Sequence, residues 1–400
     1  VEDTDTKRNN LEAVQGIFEG MKWLGLDWDE GPGKEPDEDT KYFQSQRTAI
    51  YKEVAKELLK KGMAYKAFKT AEELEPLKKA AEEKGLKGFQ REWEFYSKAE
   101  IKAMKASKKK KPFAVRFASP REGTLVLDDL VLGEVKFNIV DAVDDFVLIR
   151  ANGTPTYNFA AAVDDYMMKI SHVLRGDDHL SNTPKQVAIY HAMGWATPRF
   201  GHLPMILGPD KQKLSKRHGA TSVTQYRDDG YLPHTLLNYL VRLGWSHGDQ
   251  EIFSLKELIA AFNLTHLNKT AAVFDTKKLD WLNNHYIKET NSAELIADTR
   301  LLPMIMLATS TNQKIGETVH DRGKEWLVDL IDLVKPRHNK LTEIASATKY
   351  FFPGEVQIDE AVATKHLTEE TLETMKVLCK LLDGLEDWSE SSIENFITAF

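Results

Sequence analysis

Leu11, Val14, Ile17, Phe18, Met21 and Leu24 recur at the spacing of one helix face, and the run stops at Gly25. A second stripe, Ile50, Val54, Leu58 and Leu59, predicts another helix that ends at Gly62. Residues 27–39 between them are acidic and rich in glycine and proline, hence a loop. Residues 63–112 are highly charged and mostly helical in pattern. They close on the lysines 108–111 and Pro112, where a solvated linker is the simpler reading than a nucleic-acid contact. The pattern then changes to short strands at 113–117, 124–127, 135–140 and 146–149, separated by turn residues such as Ser119-Pro120 and Leu132-Gly133. Strands and helices alternate again over 151–210. A helix is expected at 183–193 with Pro184 in its first turn, and an apolar strand at 203–207. Pro233 opens a helix striped by Leu236, Leu237, Leu240 and Leu243 and closed by Gly244. From about residue 250 onward strand-like runs are scarce and the chain reads as helical.

Composition narrows what these elements can do. The chain has 400 residues, too many for one ordinary core, with 42% hydrophobic and 29% charged side chains. A net charge of −7 argues against a general basic coat for nucleic acid, although a local basic face can still attract phosphate. The single cysteine, Cys379, excludes an internal disulfide and a thiolate-rich metal site, which fits a cytoplasmic location. No apolar run approaches the ~18 residues that span a bilayer. The chain opens Val1-Glu2-Asp3-Thr4-Asp5, with neither a methionine nor a signal-like leader, and is expected to be trimmed.

The densest chemistry lies in Lys211-Gln212-Lys213-Leu214-Ser215-Lys216-Arg217-His218-Gly219, introduced by the turn Gly208-Pro209-Asp210. Cations this close repel one another, so a closed loop needs a polyanion. A lysine run alone is usually a solvated face. The residue order changes that, because Lys213-Leu214-Ser215-Lys216-Arg217 resembles the second signature of the class I aminoacyl-tRNA synthetases. Upstream, Asn152-Gly153-Thr154-Pro155-Thr156-Tyr157-Asn158-Phe159, Val163-Asp164-Asp165 and Val173-Leu174-Arg175-Gly176-Asp177-Asp178-His179-Leu180-Ser181-Asn182-Thr183-Pro184 set polar residues between apolar runs. Singly these are turns and a helix cap at Ser181 or Thr183. Together with Glu2-Asp3-Thr4-Asp5, Val273-Phe274-Asp275-Thr276-Lys277-Lys278-Leu279 and Val334-Lys335-Pro336-Arg337 they resemble the glutamyl-tRNA synthetases of bacterial type, in order and across essentially the whole chain.

That resemblance implies an α/β plus all-α protein. A Rossmann-type catalytic domain (1–62 and 151–210) would be split by an inserted acceptor-binding α+β module (63–150). The lysine loop and a helical connecting domain (211–292) would follow, then a helical anticodon-binding domain (293–400). It implies ATP, L-glutamate and tRNA(Glu) as substrates, a monomer, and no membrane. Arg175 stands where the family uses a guanidinium for the γ-carboxylate of glutamate, the alternative being an ion pair with Asp177 or Asp178. Tyr157 would hold the substrate side chain and Glu2 its α-ammonium. Asp178 and His179 would contact ATP; Lys213, Ser215 and Lys216 would stabilise charge building on the phosphates, with the two lysines as the catalytic pair. Magnesium would be held mainly by ATP oxygens and water. Arg337 would distinguish the third anticodon letter, the alternative being a basic helix cap. Trp281, Trp326 and Trp388 are expected in the core.

Three departures accompany the resemblance. The family's His-X-Gly-His type sequence is absent and would precede Val1, so the chain as given is expected to be inactive, and the last anticodon-binding helices would lie past Phe400. Ala67 and Lys69 stand where some relatives carry zinc-binding thiolates, so no zinc is expected. Gly176-Asp177-Asp178-His179 has an aspartate where many relatives carry a glutamate, one methylene longer. A non-catalytic tRNA-binding fragment and a paralogue that glutamylates a modified tRNA base are the alternatives.

Overall fold

The computed structural model describes residues 1–4, 11–69, 112–219, 222–298, 300–308, 312–352 and 360–399, with scattered positions between 72 and 99. These fall into two units, Val1–Thr290 with Pro336–Leu341, and Asn291–Lys335 with Thr342–Phe400.

The first unit opens with helices α1 (Leu11–Trp23) and α2 (Thr48–Lys60), each ending just ahead of the glycine foreseen as its stop. Strands β1 (Ala64–Ala67), β2 (Ala114–Phe117), β3 (Thr124–Asp129) and β4 (Gly133–Asn138) follow. After a single helical turn, α3 (Ile139–Ala142), comes β5 (Val147–Ile149). Helices α4 (Tyr157–Met167) and α5 (Thr183–Met193) then alternate with strands β6 (His172–Gly176) and β7 (Arg199–Leu203). β1, β2 and β5 form an antiparallel sheet in the order β1-β2-β5, β3 and β4 form a hairpin, and β6 and β7 run parallel.

One core joins these pieces. Tyr51, Val54 and Leu58 of α2 pack with Val115 and Phe117 of β2, Leu148 and Ile149 of β5, Phe159 and Val163 of α4, and Ile189 and Tyr190 of α5. Fully burying each large apolar side chain contributes about 1.5–3 kcal/mol. The inward row of β3 is Leu125, Leu127 and Asp129. The two leucines pack on Val187 and Phe200, which presses the end of the hairpin against β7 and buries a carboxylate there. Further on, α6 (Val223–Asp228), α7 (Pro233–Gly244), α8 (Leu255–Ala261) and α9 (Thr276–Glu289) are helical. α9 starts at Asp275, whose carboxylate accepts the amides of Lys277 and Lys278. Among the described residues of the second unit only helices occur, the longest being Asn312–Val334, which kinks at Gly323.

Several expectations need correction. The strand placed at 203–207 is β7, which starts four residues earlier and ends at Leu203, because Pro204 carries no N–H to continue the ladder with β6. The strand expected at 135–140 begins at Gly133 and gives way after Asn138, whose side chain accepts the amide of Val140 and opens α3. β1 was not foreseen: Ala-Tyr-Lys-Ala is too short to show a period, and pairing with β2 makes it a strand. Neither Ser181 nor Thr183 caps α5, since Asn182 holds that position without a side-chain bond. Trp281 and Trp388 are exposed rather than in the core, while Trp326 is half-buried beneath the Arg322 guanidinium. Lysines 108–111 lie outside the described residues.

Candidate active site

Arg175 lies in β6 opposite His202 of β7 in the parallel register. Its Nε donates to His202 Nε2 (3.3 Å), its Nη2 to Thr183 Oγ1 (2.8 Å), and its Nη1 points at the Tyr157 hydroxyl (3.5 Å). The guanidinium also lies over the Phe200 ring, 5.4 Å from its centre. Among the described residues no carboxylate comes within ion-pair distance of it, so the expected alternative, a pair with Asp177 or Asp178, is not formed. A half-buried cation whose hydrogen bonds all go to neutral groups is available to a ligand carboxylate.

Behind it runs a polar chain that sequence reasoning missed. His202 and Asp129 are both fully buried, with Nδ1 2.6 Å from the carboxylate Oδ2. The other oxygen of Asp129 accepts the amides of Val131 (2.9 Å), Leu132 (2.9 Å) and His202 (3.2 Å). Burial alone would push the Asp129 carboxyl up, but the bonds from Leu132, His202 and Val131 outweigh it and hold it below the usual range. Thr183, also buried, stands 2.9 Å from His202 Nε2. The only sequence signal was a polar residue at an inward position of an apolar strand, at Asp129 and again at His202.

Tyr157 takes the first position of α4, and its hydroxyl lies 3.2 Å from His179 Nδ1. His179 and Asp178 sit in the 3-10 turn Asp177–Asn182 that leads into α5. A Cβ on Gly176 would meet the Asp178 carboxylate at 2.6 Å, so a larger residue there would have to displace that side chain from its place beside Lys213. The lysine loop reaches this turn directly: Lys213 Nζ bonds Asp178 Oδ2 at 3.0 Å and holds its carboxyl below the usual range. Both partners are largely exposed, so the pair contributes little stability.

The loop is a narrow excursion. Leu214 N bonds Ile206 O (2.9 Å), Gly208 N bonds Gln212 O (2.7 Å), and Lys211 takes a left-handed φ of 60° at its tip. His218 folds back so that its Nδ1 accepts the Ser215 amide (3.1 Å), with the Ser215 hydroxyl 3.3 Å away. Its ring fills the space where a side chain on Gly208 would sit, 2.8 Å from the nearest atom. Arg217 and His218 both face Asp210, which relieves part of the cationic repulsion. Below, Leu207 bonds the backbone of Ala272 and Phe274, so the 273–279 stretch supports the loop. Lys216 opens the turn Lys216–His218, and its side chain lies outside the described residues.

Glu2 is exposed on a segment that Asp3 anchors through the amide (2.7 Å) and hydroxyl of Ser45. That anchor is tied to α4, because Gln44, Arg47 and Tyr51 all bond the buried carboxylate of Asp164. Arg337 is exposed in the turn Lys335–Arg337 and is not gathered with the residues round Arg175. Its neighbours are fixed to the first unit: Asn284 donates to His338 O (2.7 Å), and Leu341 N bonds Gly230 O (2.9 Å). Among the described residues no three His, Cys, Asp or Glu side chains converge as a metal site, and no helix is long and apolar enough to cross a membrane.

Comparison with known proteins gives the family. Residues 1–281 match the family described as tRNA synthetases class I (E and Q), catalytic domain, and residues 299–400 match an anticodon binding domain. A glutamate–tRNA ligase of Geobacter sulfurreducens is 42% identical over 394 residues, covering 98% of this chain and 78% of that protein. One from Thermodesulfovibrio yellowstonii is 44% identical over 395 residues, covering 98% and 79%. The solved glutamate–tRNA ligase of Elizabethkingia meningosepticum, in complex with its amino acid, superposes with a TM-score of 0.76 at 31% identity, over 96% of this chain and 79% of that one. The glutamate–tRNA synthetase of Elizabethkingia anophelis gives 0.77 at 30%, over 100% and 82%. With the Arg175 cluster joined to the lysine loop through Asp178, and with relatives of this kind over nearly its full length, the chain belongs to the class I tRNA synthetases of the glutamate and glutamine type.

Proposed function

We propose that this chain is a glutamate–tRNA ligase that activates L-glutamate with ATP and transfers it to the 3′ end of tRNA(Glu). The observation that carries the choice of amino acid is Arg175, whose hydrogen bonds all go to neutral groups. A carboxylate side chain gains a charge-assisted fork there; the neutral amide of glutamine cannot. Tyr157 frames the same side chain, and Glu2 receives the substrate ammonium.

No protein nucleophile is needed. The substrate α-carboxylate attacks the α-phosphorus of ATP, pyrophosphate leaves, and glutamyl-adenylate forms. A ribose hydroxyl of the terminal tRNA nucleotide then attacks the mixed anhydride, giving glutamyl-tRNA and AMP. Asp178 and His179 hold the nucleotide, while Lys213, Ser215 and Lys216 offset the negative charge that grows on the phosphates. Lys213 rests on Asp178, an exposed contact that a phosphate can replace. Magnesium would be held mainly by ATP oxygens and water, and would add positive charge at the phosphates. Arg337 reads the anticodon, the 63–150 segment meets the acceptor end, and the enzyme works as a cytoplasmic monomer.

ATP–pyrophosphate exchange, run with tRNA present on a protein that includes the His-X-Gly-His type sequence, tests the assignment. Exchange should depend on glutamate, and Arg175→Gln should remove most of the preference for glutamate over glutamine. Equal exchange with both amino acids in the unaltered protein would sink the role given to Arg175.

A further inference from the structure

We propose that Asp129 and His202 form a positioning pair that sets the orientation of the Arg175 guanidinium and thereby the selectivity for a carboxylate substrate. The inference rests on the reading of Arg175 as the glutamate site, and it assigns roles to residues remote from the lysine loop.

Hydrogen-bond polarity fixes the chain of protons. The Asp129 carboxylate is ionised and can only accept, so His202 Nδ1 carries the proton that spans the 2.6 Å contact. His202 Nε2 is then a bare lone pair. It accepts from Arg175 Nε (3.3 Å) and from the Thr183 hydroxyl (2.9 Å), which in turn accepts from Arg175 Nη2 (2.8 Å). Nε and Nη2 define one edge of the guanidinium plane, and that edge is now filled by two buried neutral acceptors. The end-on fork of Nη1 and Nη2 stays open on the side of Tyr157. A carboxylate in place of His202 would fill the edge equally well but would cancel the charge the substrate needs. The neutral imidazole orients the cation without neutralising it, and the buried Asp129 behind it enforces the tautomer.

The same geometry supplies a nearly isosteric test. In Asp129→Asn the amide oxygen must face the three amides of Val131, Leu132 and His202. The amide NH2 is thereby turned toward His202 Nδ1, which must accept, and the proton moves to Nε2. Two N–H groups, on His202 and Arg175, would then confront each other, and the guanidinium would swing off its seat. Losing a charge-assisted hydrogen bond of this kind corresponds to a KM increase for glutamate on the order of 10- to 100-fold. KM for ATP and tRNA should stay within about two-fold, because the lysine loop is untouched. The glutamate-over-glutamine ratio should fall in parallel, and 15N NMR of the imidazole should report protonation at Nε2 in place of Nδ1.

A purely structural strap predicts otherwise. His202→Leu and His202→Gln both lose the bond to Asp129, but Gln can still turn an oxygen toward Arg175, so it should recover part of the glutamate KM that Leu loses. If the two His202 variants and Asp129→Asn lower the melting temperature while KM for glutamate moves no more than KM for ATP, the positioning role is wrong. Arg175→Lys separates the two levels. Loss of selectivity in Arg175→Lys with none in Asp129→Asn overturns the positioning pair alone, whereas no change in Arg175→Lys overturns the glutamate reading beneath it.

Discussion

At the scale of single residues the site is a contrast between two cations. Arg175 is half-buried, gripped by neutral partners and unable to move far. Lys213 is exposed and rests on one exposed carboxylate, a contact that is screened by salt and exchangeable at little cost. The first arrangement suits recognition of a fixed group on a small substrate. The second suits a side chain that must leave its partner when a triphosphate enters. Lys213→Ala should therefore depress glutamyl-adenylate formation on the order of 10²- to 10³-fold, as removal of one donor to a developing anion does elsewhere. Lys216→Ala should behave in the same way. Melting temperature should barely change, and tRNA affinity should fall far less than the chemical rate. Single-turnover pyrophosphate release beside a filter-binding titration reads both quantities. Equal losses in rate and tRNA affinity would mark the loop as an RNA contact instead.

At the scale of elements, α4 carries two adjacent carboxylates with opposite surroundings. Asp164 is satisfied by Gln44, Arg47 and Tyr51 and so ties the turn before α2 to α4. Asp165 lacks such a set. Burial, then repulsion from Asp164, pushes its carboxyl up to about 6, with Arg175 pulling the other way. An acid whose folded pKa lies above its unfolded value is a penalty to the fold wherever it is ionised, here above about pH 6. The penalty fades as pH falls through that value toward the unfolded pKa of 3.8. Asp165→Asn should accordingly raise stability at pH 7.5 by at most about 3 kcal/mol, each pKa unit being about 1.36 kcal/mol and residual solvent trimming the total. Most of that gain should be gone at pH 4. Thermal melts at the two pH values check it; a gain that is equal at both would show that packing, not charge, is responsible.

The elements also show which features a sequence can carry. Helices α1, α2, α5 and α7 were legible because apolar stripes ended at glycine or began at proline, signals confined to a few neighbouring residues. The gathering of Arg175, Tyr157, Asp178 and Lys213 followed from a resemblance in motif order, which no local period contains. β1 and the true span of β7 were not legible, because pairing with a distant strand decides them. Asp129 was missed for the same reason. It reads as the polar end of a hairpin, and only the packing of Leu125 and Leu127 on Phe200 turns it inward to His202. Trp281 failed differently: helical spacing places it on α9 but does not say which face of that helix is covered.

At the scale of the molecule, a chain of net charge −7 must bind a polyanion through local features. Arg337 is one such feature. The carbonyls of Pro336 and His338 accept from Asn284, and the Asn339 carbonyl accepts from the buried Asn283, so the turn that presents Arg337 is pinned on both sides to α9. A rigidly mounted, exposed guanidinium can serve tRNA in two ways with different signatures. A contact to phosphate strengthens all tRNAs alike and adds about one unit to the salt slope; a contact to a base edge shifts preference among sequences by roughly 1–3 kcal/mol and leaves the slope nearly unchanged. The pinned backbone favours the second, because base reading needs a fixed donor whereas phosphate attraction tolerates a loose one. Arg337→Ala should then reduce the preference for tRNA(Glu) over a variant altered at the third anticodon letter by about ten-fold or more. The log–log salt slope of binding should stay near that of the unaltered protein. A uniform loss across both tRNAs with a shallower slope would reassign Arg337 to the phosphate backbone.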